Sequence, residues 1–443
     1  MKIAFFSPLG PQQTGISNYA EELVLQMRKF GNVCIDLFVD GFEPSNKEIL
    51  ESFDIHQIEE IDNAAERNKY DHLVYQVGNN SRFHKRINEY SMKHPGITQL
   101  HDFSLHHYLA ETTLLQGKLD EYVDVMKFCH GWQGEAMATG FIAGTCFPPW
   151  DNRPLDFPVN KHMLDRAKAV VVHSDFAVQM LRGMGIGKPI KKLCLHAREL
   201  RVDYDIHKRA CREMLNIKQD ALVFGSFGFA TPAKRIEQIL QALARLKKER
   251  SDFIYMVVGK VVGIDLDGAV EKLGLSDCVL SPGYLSLEQF EIHMSACDVC
   301  FNLRFPSHGE TSGTLHQLLG LGKVVIVTRI AAFDEYPEEV VLKVRHGAEE
   351  VQEIYDYVKT LVSMPEKLVS VREKALAYAK AHCCLKTNCG KYIDFLAGLD
   401  SGASCSGDYE DELIDRLFEL GLFSESYTCQ LANRLSILER TNQ

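Results

Sequence analysis

The chain has 443 residues, 46% hydrophobic and 25% charged. That is an ordinary globular composition and too much chain for one compact core. A formal net charge of -11 at pH 7 argues against general nucleic-acid binding, and 13 cysteines, odd in number and mostly inside apolar segments, fit a reducing cytoplasm better than a disulfide framework.

In chain order, strand-like and helix-like segments alternate. The opening MKIAFFSPLG reads as a first strand over 2–6, not as a signal peptide. A helix is expected near 17–29, then strands at 33–39 and 72–77, a helix near 82–93, strands at 97–100 and 169–172, and a helix near 175–183. The pattern restarts with a strand at 222–228, a helix near 234–248 and a strand at 254–259. Strands at 278–280, 298–303 and 323–327 follow, alternating with helices near 286–296 and 312–321, and more helix is expected at 349–363 and 366–381. No apolar run has the length of a membrane span. Such alternation predicts parallel sheets covered on both faces. Two series predict two α/β, doubly wound, Rossmann-like domains, over 1–197 and 198–385, facing across a cleft. Residues 386–443 are expected to form a C-terminal helical appendage. Within it, 398–412 reads as a small, acidic linker and 411–437 as helix.

In open parallel sheets, ligands sit at the carboxyl ends of the strands. One such end carries Gly309-Glu310-Thr311-Ser312-Gly313, directly before a helix. A plain helix cap needs one polar side chain; here a carboxylate and two hydroxyls stand between glycines. The free N–H groups of the first turn suit an anion such as a diphosphate. Glu310 would be repelled by phosphate, so it is expected to face sugar hydroxyls. A second strand end, FGSFGFATPAKRI, brings Lys234 and Arg235 to the start of a helix. Cations there oppose the helix dipole, and an anion between them would relieve the conflict. Capping alone, and two solvated cations, are the plainer readings of these turns.

The ordered series GFATPAKRI, SPGYLSLEQF, ACDVCFNLRFPSHGETSGTL and LGLGKVVIVTRIAAFDEYP resembles the retaining glycosyltransferase family four, of GT-B fold. So do the N-terminal pieces FFSPLGPQQTGISNYAEEL, LHDFSLHHY and AVVVHSDFAVQML; together they span roughly residues 1 to 385. The resemblance implies that Lys234 meets the donor diphosphate and that Glu310 lies against the donor sugar. Backbone from Thr311 through Ser312, Gly313 and Thr314 to Leu315 would hold sugar and phosphate. Tyr284 would stand beside the nucleobase, and Gly15 would admit the N-terminal loop close to the diphosphate. His101 matches the histidine near the reacting carbon, and Asp102 would orient it or meet the acceptor. The chain departs from the family twice. Phe229 stands where an arginine is usual, with Arg235 as the expected substitute. Leu318 stands where a second glutamate binds ribose, with Gln317 the nearest polar residue.

Other signals are weaker. His101, His106 and His107, and Cys297-x-x-Cys300, could suggest a metal site, but the Cys pair lies in an expected buried strand without a second pair at ligand spacing, and Asp265-Leu266-Asp267 reads as a helix cap, so no metal is expected. Cys383 and Cys384 need no functional role. The basic stretch 82–94 reads as a solvated helix face, with anionic lipid or a charged acceptor as the alternative. The expected protein is therefore a cytoplasmic hexosyltransferase without cofactor, with peripheral membrane contact as an alternative. It would use a nucleotide sugar, GDP-mannose first and a UDP-hexose second, and a glycan or lipid-linked acceptor. A GT-B sugar-nucleotide epimerase and a non-catalytic binding module are the alternatives.

Overall fold

A computed structural model describes residues 1–200 and 202–400. The helix expected over 411–437 and most of the linker at 398–412 lie outside the described residues. Met1–Ile393 form one compact unit, and it contains every candidate site residue.

The N-terminal lobe is built on a seven-stranded, wholly parallel sheet: β1 (Lys2–Phe6), β2 (Cys34–Val39), β3 (Asp54–Gln57), β4 (His72–Val77), β5 (Ile97–Leu100), β6 (Ala169–Val172) and β7 (Ile190–Lys192), in the order β3-β2-β1-β4-β5-β6-β7. The C-terminal lobe carries six parallel strands: β8 (Leu222–Phe227), β9 (Phe253–Val258), β10 (Val279–Gly283), β11 (Val299–Asn302), β12 (Val324–Thr328) and β13 (Leu342–Val344), in the order β10-β9-β8-β11-β12-β13. The central strands are buried on both faces, as their continuous apolar runs require. The last strand of the N-terminal sheet, β7, lies inside the expected 1–197 domain. The long helix Leu119–Ile142, kinked at Gly131, was not anticipated.

Each sheet reverses its strand order once, between β1 and β4 and between β8 and β11. At such a reversal the flanking connections leave in opposite directions and open a crevice. Lys234 follows β8 and the Arg304–Ser312 turn follows β11, so both border the same crevice. The helix Gly313–Gly320 begins there, capped by Ser312, whose Oγ accepts from the Leu315 N–H at 3.2 Å.

The lobes touch along a seam beside the crevices. The Ser104 N–H donates to the His308 carbonyl at 2.8 Å. Glu335 accepts from the backbone N–H of Asp175, at 2.9 Å, and of Phe176, so one lobe caps the helix Asp175–Gly183 of the other. Gly309 sits in this seam at φ +73°, and a Cβ there would lie 2.6 Å from Phe103 Cβ. After the two-lobed body, the helix Leu385–Asp400 returns to the N-terminal lobe, where Asn388 Nδ2 donates to the Cys194 carbonyl at 2.9 Å. Gly309→Ala should lower thermal stability by about 1–3 kcal/mol through left-handed strain, plus the clash with Phe103; an unchanged Tm would show that the seam yields freely.

Candidate functional site

The site is best built outward from Lys234. Pro232–Lys234 form one tight turn after β8, which swings the side chain back under Gly228. There the ammonium donates to the Phe227 carbonyl. A Cβ built on Gly228, at φ +85°, would lie 2.7 Å from Lys234 Nζ and 3.8 Å from Thr314 Oγ1. Only glycine therefore leaves room for the lysine beside the first turn of Gly313–Gly320. Burial, with Arg304 nearby, pushes the ammonium well below the usual lysine range, while Glu310 pulls the other way. A buried cation beside the first turn of a helix is a setting that an anion would stabilise.

Glu310 braces the turn from below. One carboxylate oxygen accepts from the His308 N–H at 2.7 Å and from Ser307 Oγ at 3.0 Å. The other pairs with Arg304 Nε at 2.8 Å, both side chains being largely buried. Arg304 leaves the end of β11, and its own N–H donates to Thr328 Oγ1 at 2.9 Å. Sequence reasoning passed over Arg304, although it is the first polar residue after the strand in the quoted stretch. With Lys234 it makes two cations at one crevice.

On the facing lobe, His101 and Asp102 follow β5. His101 hydrogen-bonds through both ring nitrogens, to Gln76 Oε1 at 2.8 Å and to His173 Nε2 at 3.2 Å. Orientation of His101 thus falls to Gln76 and His173, not to Asp102 as one expectation had it. Asp102 accepts from the Asn79 N–H at 2.9 Å. Burial pushes its carboxyl up to about 6, Glu310 across the seam adds to this, and Arg304 opposes it. The carboxyl therefore faces the same pair of charges that borders the crevice.

Several expected residues are engaged elsewhere. Arg235 takes a left-handed backbone, φ 58°, and turns away from Lys234 to make a two-pronged pair with fully buried Glu350, the shorter contact 2.6 Å. It does not replace the arginine missing at Phe229, which is exposed. Gln317 Oε1 accepts from the Arg198 N–H at 3.2 Å. Leu318 lies wholly within the core beneath the sheet, where a carboxylate would be stranded. Tyr284 is exposed at the end of β10. Gly15 opens the first helix, with no atom near the position of a Cβ. His106 is a core residue, bonded to the Phe157 carbonyl at 2.7 Å and to Tyr122 Oη at 2.8 Å. His107 meets the His308 ring across the seam, centroids 4.9 Å apart. Cys297 and Cys300 are buried, and Asp265 caps a helix through the Gly268 N–H at 3.0 Å. Within the basic stretch 82–94, Arg86 pairs with Glu59 and Lys93 with Asp62, each at 2.6 Å. Among the described residues no helix is long and apolar enough to cross a membrane.

Residues 208–378 match the family model described as glycosyl transferases group 1. No curated protein matches the chain in sequence. Among solved structures, Anabaena HepE in complex with UDP and glucose aligns with a TM-score of 0.60 at 16% identity, covering 90% of this chain and all of that one. A glycosyltransferase from Rickettsia africae aligns at 0.63 and 14% identity, covering 90% of this chain and 99% of that one. WaaG, a glycosyltransferase involved in lipopolysaccharide biosynthesis, aligns at 0.60 and 14% identity, covering 89% of this chain and all of that one. The fold is GT-B, and the stretch that matches the group 1 glycosyl transferase model lies in the C-terminal lobe. That stretch holds Lys234, Arg304, Glu310 and the mouth of the helix Gly313–Gly320.

The raised carboxyl of Asp102 has a stability consequence of definite sign. The unfolded chain loses this proton near 3.8 and the folded chain near 6, so the group costs stability increasingly across that window and fully above it. Asp102→Asn should therefore be stabilised relative to the parent more at pH 7 than at pH 4. Equal Tm differences at the two pH values would contradict the assignment.

Proposed function

We propose that the protein is a retaining glycosyltransferase that moves a hexose from a nucleotide-diphosphate sugar to a glycan or lipid-linked acceptor. The observation that carries this reading is Lys234, a buried ammonium beside the first turn of Gly313–Gly320 at a strand-order reversal. A leaving diphosphate develops negative charge, and fixed donors serve best where charge appears. Lys234, Arg304 and the N–H groups from Thr311 to Thr314 supply such donors, the Leu315 N–H being taken by Ser312 Oγ. Glu310 holds Arg304 and the turn in place, its carboxylate bonded to Arg304, Ser307 and the His308 N–H rather than left open.

The sugar carbon develops positive charge as the diphosphate departs. On the retaining reading, a donor phosphate oxygen accepts the acceptor's proton, so no strong side-chain base is required. His101 fits this reading, since both of its ring nitrogens are already bonded within the protein. Asp102 and His107 stand on the facing lobe, on the acceptor side of the seam. Approach of the two lobes would exclude water from the activated sugar. We place the reaction in the cytoplasm, in polysaccharide or glycoconjugate assembly.

GDP-mannose is the first donor proposed, on the resemblance of the GETSG turn to bacterial mannosyltransferases. A UDP-hexose is the second reading, favoured by the likeness to HepE, whose solved complexes hold UDP and UDP-glucose. A thermal-shift comparison of GDP-mannose with UDP-glucose decides between them, and incubation of donor with and without glycan separates a transferase from an epimerase.

Loss of one charge-assisted contact to the diphosphate is worth about 1.5–3 kcal/mol, so Lys234→Ala should lower kcat/KM by about 10- to 100-fold. Glu310→Ala should lower it at least as far, by releasing Arg304 and the turn together. Full nucleotide release by either purified variant would contradict the assignment.

A further inference from the structure

We propose that His101 and His173 act as one unit that holds a hydrogen between their rings and takes up a further proton when the donor binds. In this unit His173 is the positioning residue for His101.

The two histidines follow neighbouring strands, β5 and β6, which pair in register through Gln99 and Val171. His101 Nδ1 lies 3.2 Å from His173 Nε2, with ring centroids 4.9 Å apart. His173 Nδ1 lies 2.8 Å from the Leu193 carbonyl, which only accepts, so that nitrogen carries a hydrogen. His101 Nε2 faces Gln76 Oε1 at 2.8 Å; Gln76 Nε2 in turn donates to Gln99 Oε1 at 3.0 Å, and Gln99 Nε2 to Tyr19 Oη at 2.8 Å. A neutral imidazole has one N–H and one lone pair. If both rings are neutral and His101 donates to Gln76, two lone pairs meet at the ring–ring contact, with Gln99 Nε2 standing 3.4 Å from His173 Nε2.

Two arrangements resolve the conflict. In the first, an added proton lies between the rings and the pair carries one positive charge. In the second, both amides turn over. Gln76 then donates to His101 Nε2, Gln99 donates to Gln76, Tyr19 donates to Gln99, and the one hydrogen of His101 is given from Nδ1 to His173. Each arrangement puts a hydrogen between the rings. They differ by one proton, carried on His101 Nε2, so the pair titrates as a unit.

The titratable groups around the pair are Tyr19, edge-on to both rings, His84, His196, which is bonded to Glu22, and His316 of the other lobe. Asp102 adjoins His101 in the chain. Burial holds His173 down at about 4 and His101 well below the usual histidine range, which favours the neutral arrangement near pH 7. A diphosphate at the start of Gly313–Gly320, the position taken under Proposed function and on which this inference rests, would bring negative charge beside His316 and favour the protonated one.

Calorimetric titration of the wild-type protein with UDP-glucose and with GDP-mannose, near pH 6 in buffers of different ionisation enthalpy, measures the proton balance directly. These diphosphodiesters do not titrate there. The expected result is net proton uptake on binding, kept in Asp102→Asn and abolished in His173→Gln and in His101→Asn. His173→Gln should also lower kcat more than it raises KM. Binding without uptake in the wild type, or uptake that persists in His173→Gln, overturns the proposal while leaving the donor reading intact. Binding of neither compound overturns the donor reading, and this one with it.

Discussion

The organisation of the C-terminal lobe depends on keeping one ammonium group away from water. Lys234 is held beneath Gly228 by a single tight turn, against a backbone carbonyl and beside a helix mouth. Burying a cation in this way is unfavourable unless something negative answers it. Glu310 answers only in part, because its carboxylate is already taken up by Arg304, Ser307 and the His308 N–H. The surplus of donors at the crevice is the physical content of an anion site, and it explains why glycines flank both turns.

The seam between lobes turns that half-site into a whole one. His308 and Gly309 belong to the same turn as Glu310, yet they meet Ser104 and Phe103 of the other lobe. Glu335 reaches across to cap a helix of the N-terminal lobe. The turn that borders the crevice is therefore also the turn that registers one lobe on the other. Asp102 feels Glu310 and Arg304 through the same juxtaposition, so charges of the two lobes act on one another across the seam.

Much of this was legible in the chain. Alternation of apolar runs with amphipathic segments located the sheets, and the strand ends pointed to the loops that matter. Lys234 and Glu310 stood out in the sequence because each sits in a glycine-flanked turn after a strand. Arg235 misled because its cation adjoins that turn in sequence; a left-handed backbone, paired with a glutamate far along the chain, sends it elsewhere. Local spacing carries no trace of such a distant partner. His173 had a local signal that went unused, since VVVHSDF, like ITQLHDF, places a histidine directly after an apolar strand. The partnership of the two histidines, like the capping by Glu335, is set by the adjacency of strands and lobes and has no periodic signature. The helix Leu119–Ile142 escaped notice because its apolar residues are not gathered on one face: Phe128 and Trp132 remain exposed while Tyr122 and Met126 are buried.

The most direct test of the anion-site account is the ionisation of Lys234 itself, followed by carbon-13 NMR of lysine-labelled protein with and without UDP or GDP. The account predicts an ammonium that titrates well below the other lysines in the free protein and moves up when the nucleotide binds. A Lys234 signal that titrates like a surface lysine, or stays unmoved while the nucleotide is bound, would contradict it.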